Sequence, residues 1–275
     1  MNSITDSFDP TVEVAPLSSA QARLWRQVSL DPNNSAYHVP AGLRLRGVVD
    51  RRALEQSLEY IIGRHEMLRT TFDVVQGKTL QIIHADLPVA IRAGGSIVES
   101  RLDEAIRSEI HRPFDLARGP LIRAVIYDLE DRSAVLIVTM HHLVTDGWSL
   151  GVFVNEISAC YRAFATGGRP ALAPLEIQYA DFAEWERERL DRLGEQQLDY
   201  WRAQLRAPVS ATEVLPDHPR PLAPSAVGTT ECFQLDVLPG ARQLANGLGA
   251  TLFMVLLAAF EVRSEEHTSE LQSHS

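Results

Sequence analysis

Hydrophobic residues along the chain follow two different spacings, and these spacings predict where helices and strands lie. Apolar residues recur every three or four positions, as on one face of a helix, in 17–30, 50–63, 99–113, 147–168, 179–205 and 241–260. Alternating or continuous apolar residues predict strands over 37–47, 67–75, 78–84, 121–129, 133–140 and 229–237. Because strands and helices are intermixed, the pattern predicts an α/β or α+β fold.

Polar residues at the ends of the first two helices predict where these helices begin and end. Ser18 or Ser19 is expected to cap the first helix, and Asp50 to cap the second, because their side chains can accept bonds from free helix N–H groups. Gly63 is expected to end the second helix. The predicted apolar face of the first helix carries Ala20, Leu24 and Val28.

Short polar turns predict two hairpins. Gln76-Gly77 separates the strands 67–75 and 78–84, and residues 130–132 separate the next pair. The strand 133–140 is an almost unbroken apolar run, which is typical of a strand in the centre of a sheet. It is expected to end at His141.

The composition excludes several classes of protein. A net charge of −10 argues against nucleic acid or an anionic membrane as the main partner, since both need a basic surface. The two cysteines, Cys160 and Cys232, are too far apart to suggest a disulfide framework or a zinc knuckle. No signal peptide is visible, and the longest apolar stretch, 251–260, is too short to span a bilayer. A cytoplasmic protein is expected.

Residues 139–149, TMHHLVTDGWS, place two histidines, an aspartate and a glycine between the predicted central strand and a helix. Open α/β sheets place ligands and catalytic groups at this position. Three interpretations compete: a metal site, histidines that only satisfy backbone groups, and a general base. A metal site needs further ligands, and His38, His65 and His111 lie far away in the sequence. We therefore predict no metal.

A general base is the interpretation that the chemistry of this loop favours. Histidine titrates near neutral pH, so it can accept a proton as an amine or hydroxyl attacks a carbonyl. No nucleophile accompanies it, since Ser149 lies outside a GxSxG turn and Cys160 falls on the apolar stripe of a helix. A histidine base without a protein nucleophile suits direct transfer from an activated donor such as a thioester.

The loop HHLVTDG matches HHxxxDG, the signature of the condensation domains of nonribosomal peptide synthetases and of related acyltransferases. Five more stretches resemble segments of that family in the same order: LSSAQARLW (17–25), RHEMLRTTF (64–72), HRPFDLARGPLIRA (111–124), YADFAEW (179–185) and LPDHPRP (215–221). From about Leu17 to Phe260 the chain is identified as a member of the condensation domain family.

The resemblance implies an α/β fold, an α+β sandwich made of chloramphenicol-acetyltransferase-like lobes. After a lead-in over 1–16, the first lobe is expected over 17–172. Connecting helices, the proline-rich connector and the beginning of a second lobe are expected over 173–262. Residues 263–275 lack helical or strand spacing and resemble a translated sequencing adapter, so a non-native tail is expected there.

The resemblance also implies a function. Condensation domains join a donor acyl or aminoacyl thioester to the amine of an acceptor aminoacyl thioester. The implied partners are donor and acceptor peptidyl carrier domains and an adenylation domain of the same protein. No cofactor is expected to bind directly, because the substrates arrive on phosphopantetheine arms.

By motif position, His142 is the expected catalytic residue, as general base or as the group that positions the amine. His141 is expected to support the loop. Asp146 is expected to be structural, buried and paired with an arginine of the second lobe, since carboxylates are rarely buried unpaired. Gly147 is expected to allow a tight turn and close approach of substrate.

Residues of the other motifs are expected to play supporting parts. Arg64, His65 and Arg69 match the second motif, where a helix end with salt bridges is favoured over direct catalysis. Tyr179 and Asp181 of the fourth motif are expected to be structural.

Two other functions stay open at this point. The first is a free acyltransferase that uses coenzyme A and a small alcohol or amine; the second is a catalytically idle docking module. The family's later motifs would follow residue 262, so the chain itself is expected to be inactive.

Overall fold

The computed structural model describes residues 12–206, 218–219, 222, 234 and 236–272. The chain forms two compact units, Met1–Gln204 and Leu205–Ser275. The proline-rich stretch 215–221 and the predicted strand 229–237 fall largely outside the described residues.

In the part of the first unit that the structure describes, seven strands form two sheets. They are β1 (Val12–Pro16), β2 (His38–Leu45), β3 (Thr70–Val75), β4 (Lys78–His84), β5 (Ile91–Ile97), β6 (Ile122–Leu129) and β7 (Ala134–His141). The three-stranded sheet has the order β1-β4-β3 and is antiparallel. The four-stranded sheet has the order β2-β7-β6-β5, in which only β5 and β6 run parallel.

The described helices are α1 (Ser19–Leu30), α2 (Arg51–Arg64), α3 (Leu102–His111), α4 (Gly147–Ala165), α5 (Tyr179–Gln204), α6 (Leu238–Leu248) and α7 (Leu252–Gln272). Single turns of 3₁₀ helix lie at Ser35–Tyr37, Glu66–Arg69 and Glu99–Arg101. The predicted mixture of helices and strands is confirmed.

The core of the first unit surrounds β7, whose eight residues are all buried. Helices α2 and α4 cover one face of its sheet, where Leu58, Phe153 and Ile157 join the inward side chains of β6 and β7. On the other face, α3 packs through Leu102 and Ile106. Because both faces are covered, β7 needs apolar residues throughout, and the prediction that it is central and ends at His141 is confirmed.

Local signals located several ends of elements correctly. Ser18 caps α1, Asp50 caps α2, and Gln76 and Gly77 form the hairpin turn with positive φ angles of 51° and 78°. The prediction that α2 ends at Gly63 is wrong, because the helix continues through this glycine to Arg64. An open glycine weakens a helix but does not stop it where flanking residues are packed.

Other predictions were wrong where packing between distant elements determines which residues are buried or form strands. Ala20 is exposed, and the buried residues of α1 are Gln21 and Val28. Strands β1 and β5 were not predicted, because β1 is a short edge strand and β5 contains two glycines. Gly94 is needed there, since a Cβ would lie 2.4 Å from the ring of Tyr127.

The second unit contains α6 and α7, which contact each other. Gly249, with φ +62°, ends α6 and divides the single helical segment that the apolar spacing predicted. Helix α7 continues through residues 263–272, although their sequence shows no helical spacing. Glu, Leu and Gln favour helix even without an apolar face. The adapter origin of 263–275 stays a prediction.

Within the described residues, no single helix is long and apolar enough to cross a membrane. Leu238–Leu248 and Leu252–Val262, bent by 106°, pass that test only as a pair and only by length and composition.

Candidate active site

The signature loop connects β7 to α4, and hydrogen bonds of its backbone N–H groups fix its conformation. The N–H of His142 donates to the carbonyl of Tyr37 (2.8 Å), and the N–H of Val144 donates to the carbonyl of His141 (3.0 Å). The side chains of Leu143 and Val144 are buried with Phe72 and Phe114. The loop is therefore anchored on both sides of His142 by buried residues.

The side chain of His142 is exposed and lines a pocket of about 770 Å³. The wall comes from α1, the turn after α2, the signature loop, the beginning of α4 and residues 175–179. All of these belong to the first unit. The volume is within the usual range for small-molecule sites. His142 is thus held by a rigid loop but left accessible to a ligand.

His141 points the other way, into the core, with 1% of its surface exposed. Its Nδ1 accepts the N–H of Leu143 (3.1 Å), and its ring packs against those of His38 and Phe114. Burial, followed by the nearby His38 and His142, lowers the pKa of His141 to about 3. His141 is therefore neutral at pH 7, and the supporting part predicted for it agrees with this position.

Asp146 caps the helix that follows the signature loop. Asp146 is exposed in this chain, and its burial against an arginine of the second lobe stays a prediction. The carboxylate caps α4: Oδ1 accepts the backbone N–H and the hydroxyl of Ser149, both at 2.7 Å. The backbone bond from Ser149, followed by its hydroxyl, lowers the pKa of Asp146. Helix capping needs no cation, and none pairs with Asp146 among the described residues.

Gly147 is the first residue of α4. Its φ is not in the left-handed region, and a Cβ would meet nothing within 4 Å. The tight turn that was expected to require glycine is therefore absent at this position. Close approach of a substrate stays a prediction.

Arg64 and His65 meet at one carboxylate. Arg64 Nε lies 3.3 Å from Glu156 Oε1, and His65 Nε2 lies 2.6 Å from Glu156 Oε2. Arg64 and Glu156 are each 13% exposed. Glu156 is on α4, so these contacts join the end of α2 to the helix that follows the signature loop. The expected helix end with salt bridges is present, and His65 also lines the pocket.

Arg69 lies on the other side of the second motif. Its guanidinium donates to the carbonyl of His84 and is 3.4 Å from Glu66. It therefore ties the 3₁₀ turn to β4. Arg69 does not line the pocket that His142 faces.

Gln21 is a site residue that the apolar spacing missed. Its Nε2 donates to Gln81 Oε1 (3.2 Å) and to the carbonyl of Leu143 (3.1 Å), next to His142. Its Oε1 accepts the N–H of Ser18 (3.0 Å) as part of a capping box. The pattern Ser18-x-x-Gln21 was the available signal, since it is typical of such boxes.

Tyr179 and Asp181 hold the beginning of α5. The hydroxyls of Tyr179 and Ser18 are 2.9 Å apart, and Asp181 accepts the N–H of Gln178 (2.7 Å). Burial raises the pKa of Tyr179. Tyr179 and Gln178 lie on the pocket wall, and their bonds to α1 and α2 fix that wall.

The described part of the chain contains no group of three or more His, Cys, Asp or Glu arranged to hold a metal ion. The structure does bring His38 beside His141, because these residues are opposite each other on β2 and β7. Nor does the wall offer an activated nucleophile. The hydroxyl of Ser149 donates to Asp146, and Cys160 is fully buried away from the wall.

The condensation domain family model matches residues 12–270. One protein of the linear gramicidin synthase of Brevibacillus parabrevis is 42% identical over 267 residues, which cover 93% of this chain and 5% of that protein. Chondramide synthase cmdD of Chondromyces crocatus is 39% identical over 266 residues, which cover 92% of this chain and 7% of that protein.

Two solved structures show the same fold. The X-domain from teicoplanin biosynthesis has a TM-score of 0.75 and 34% identity, covering 89% of this chain and 55% of that one. The starter condensation domain of rhizomide synthetase RzmA has a TM-score of 0.61 and 19% identity, covering 70% of this chain and 48% of that one. The chain thus spans a small part of these synthetases and about half of these solved domains.

Proposed function

The chain belongs to the condensation domain family, and on this basis we propose that its signature loop promotes amide-bond formation between two carrier-bound thioesters. The acceptor amine attacks the donor carbonyl. A carbon–nitrogen bond forms, the carbon–sulfur bond breaks, and the donor thiol leaves. The amine proton moves to His142, which can pass it to the departing sulfur.

The position of His142 supports this proposal. Its side chain is exposed on the pocket wall, while its backbone is fixed by Tyr37 and its neighbours are buried. A fixed base that faces the reacting groups is what proton transfer needs. Because no activated nucleophile lines the wall, direct transfer fits better than a covalent acyl-enzyme.

The test replaces His142 in the full-length protein. His142→Ala is expected to lower the rate of dipeptide formation about 10²- to 10⁴-fold, the usual contribution of a positioned general base. The product on the acceptor carrier is measured by mass spectrometry at short times. His111→Ala is the control, because His111 is an exposed histidine off the pocket wall. A wild-type rate in His142→Ala refutes the proposal.

The partners and location follow from the same proposal. The substrates come from donor and acceptor peptidyl carrier domains on phosphopantetheine arms, with an adenylation domain in the same protein and no cofactor bound directly. The reaction takes place in the cytoplasm, with which the free thiol of Cys160 is compatible. The chain spans about half of each of these solved domains.

One finding favours a second candidate function, docking of another protein without catalysis. The X-domain that is 34% identical to this chain was solved in complex with OxyB. If the chain is a docking module, it still binds its partner protein when His142 is replaced. The wild-type protein then forms no amide bond. The rate measurement above therefore separates the two candidates.

A further inference from the structure

We propose that the pocket beside His142 receives an apolar group of the substrate, an aliphatic or aromatic side chain or acyl tail. The proposal rests on the proposed function for the identity of the ligand as a thioester substrate. Much of the wall is apolar, and side chains from several separate segments contribute to it. They include Leu24, Met67, Val144, Val152, Phe153 and Leu175.

Most polar side chains of the wall are already bonded within the protein. Gln21 is occupied by Gln81, the carbonyl of Leu143 and the N–H of Ser18. Gln178 accepts the N–H of Glu66 and donates to the carbonyl of Arg64.

The hydroxyl groups of the wall are bonded in the same way. Tyr37 donates to Gln27, and Tyr179 is bonded to Ser18. The hydroxyl of Ser149 donates to Asp146. Each of these hydroxyl groups therefore has a partner within the protein before a substrate arrives.

Most ionisable side chains of the wall are also bonded within the protein. His65 is held by Glu156, and Asp146 caps α4. Of the ionisable wall residues that the structure describes, His142 and the exposed Arg23 have no side-chain partner. His142 is assigned to the reacting amine.

This arrangement selects against polar substrate groups. A polar side chain entering the pocket gives up its bonds to water and finds most polar groups of the wall already bonded, which is costly. An apolar side chain gains from leaving water. The pocket therefore favours apolar over polar substrate groups for two reasons. Its surface is largely apolar, and most of its polar groups already have hydrogen-bond partners.

The first experiment compares two ligands of nearly equal shape. Stable amide analogues of leucyl and asparaginyl N-acetylcysteamine thioesters are titrated into the 275-residue chain by calorimetry. Leucine and asparagine side chains are similar in size and differ in polarity. The leucyl analogue is expected to bind at least about tenfold more tightly, as expected for burial of one aliphatic side chain. Equal or tighter binding of the asparaginyl analogue overturns the proposal.

The second experiment shows that the preference arises in this pocket. Val152 is on the wall and is 38% exposed, so Val152→Asp is expected to fold and to weaken leucyl binding about tenfold or more. Asn155→Asp adds the same charge to the same helix at an exposed position off the wall, and is expected to bind like wild type. Equal effects of the two variants overturn the proposal.

Two further measurements keep the results separable. Circular dichroism melting checks that Val152→Asp is folded, and if it is not, Val152→Thr, which keeps the shape of valine, is expected to weaken leucyl binding about two- to fivefold. Binding of the analogues involves no chemistry. If the leucyl preference is absent while His142→Ala still stops condensation, the apolar pocket is wrong and the proposed function stands. If the leucyl preference is present and His142→Ala condenses normally, the apolar pocket stands and the proposed role of His142 is wrong.

Discussion

At the scale of single residues, the cap formed by Asp146 gives a first prediction. Asp146→Ala removes the acceptor for Ser149 and is expected to lower the free energy of unfolding by about 1 kcal/mol, the usual value of an N-cap. A buried ion pair would cost about 3–5 kcal/mol instead. Urea denaturation of the chain measures the difference. Asp146→Asn should restore most of the stability, because asparagine also caps helices. A loss above about 3 kcal/mol in both variants contradicts this view.

Burial of His141 predicts a loss of stability in acid. Its pKa is about 3 in the folded chain and 6.5 when unperturbed, so the unfolded chain takes up the proton first. The stability is complete above about pH 6.5 and declines between that pH and about pH 3. The slope for one such group approaches about 1.4 kcal/mol per pH unit. Burial also lowers the pKa of His38, which adds to the decline.

The acid decline is measured by urea denaturation between about pH 7 and pH 5, within the range where His141 titrates. In His141→Leu the slope should be smaller by up to about 1.4 kcal/mol per pH unit, whatever the stability of the variant at neutral pH. The exposed residue His218 offers the control, and His218→Gln should keep the wild-type slope. An unchanged slope in His141→Leu means that His141 is not the titrating group.

At the scale of elements, Gln21 connects α1 to the signature loop. Gln21→Leu leaves the carbonyl of Leu143 and the side chain of Gln81 without a donor and is expected to cost about 2 kcal/mol or more. Gln21→Glu keeps the acceptor for Ser18 and loses both donated bonds, so it separates the cap from the contact with the loop. Urea denaturation measures both. Wild-type stability in Gln21→Leu contradicts the connection.

The contact between α2 and α4 gives a prediction with an internal comparison. Glu156→Ala leaves Arg64 largely buried without its partner and is expected to cost about 3 kcal/mol. Arg101→Ala removes an exposed pair with Glu104, 69% and 73% exposed, and is expected to cost less than about 1 kcal/mol. Thermal and urea unfolding of both variants measure this difference. Similar costs would show that burial does not set the strength of the α2–α4 pair.

The elements also show which parts of the structure the sequence could predict. Asp50, Gln76-Gly77 and the apolar run before His141 act over a few residues, so their patterns were sufficient. Gln21 and Glu156 were missed because their partners lie on distant elements. The apolar period of α1 could not show that a glutamine, rather than Ala20, is buried there.

The same limit applies to the site. The position of the two histidines in the family motif was the basis for expecting a catalytic part for His142 and a supporting part for His141. The motif did not predict that Asp146 is exposed in this chain, since a carboxylate that caps a helix and one that is buried in an ion pair look alike in sequence. The bonds that occupy the polar groups of the wall became visible only in three dimensions.

At the scale of the whole molecule, the two compact units predict the products of limited proteolysis. Boundaries between compact units are preferred sites of cleavage, so a protease should cut first near the boundary between Gln204 and Leu205. The N-terminal product should resist further digestion and keep its affinity for the leucyl analogue, because the whole wall lies within it. Mass spectrometry and calorimetry measure these outcomes. Early cleavage within 19–165 contradicts the compact first unit.

The second unit should behave differently once it is released. Phe253 and Met254 of α7 are 71% and 58% exposed, and exposed apolar helices associate with one another. The released C-terminal piece is expected to aggregate, and light scattering of the digest measures it. A monomeric C-terminal piece contradicts this expectation.

All residues of the pocket wall precede the end of the first unit, so the ribosome completes them before it adds the second unit. The chain emerges from its N-terminus, and domains generally fold as units during translation. The loop around His142 can therefore reach its final conformation while the residues after Gln204 are still being added. A nascent chain would present a formed binding wall before the rest of its protein exists.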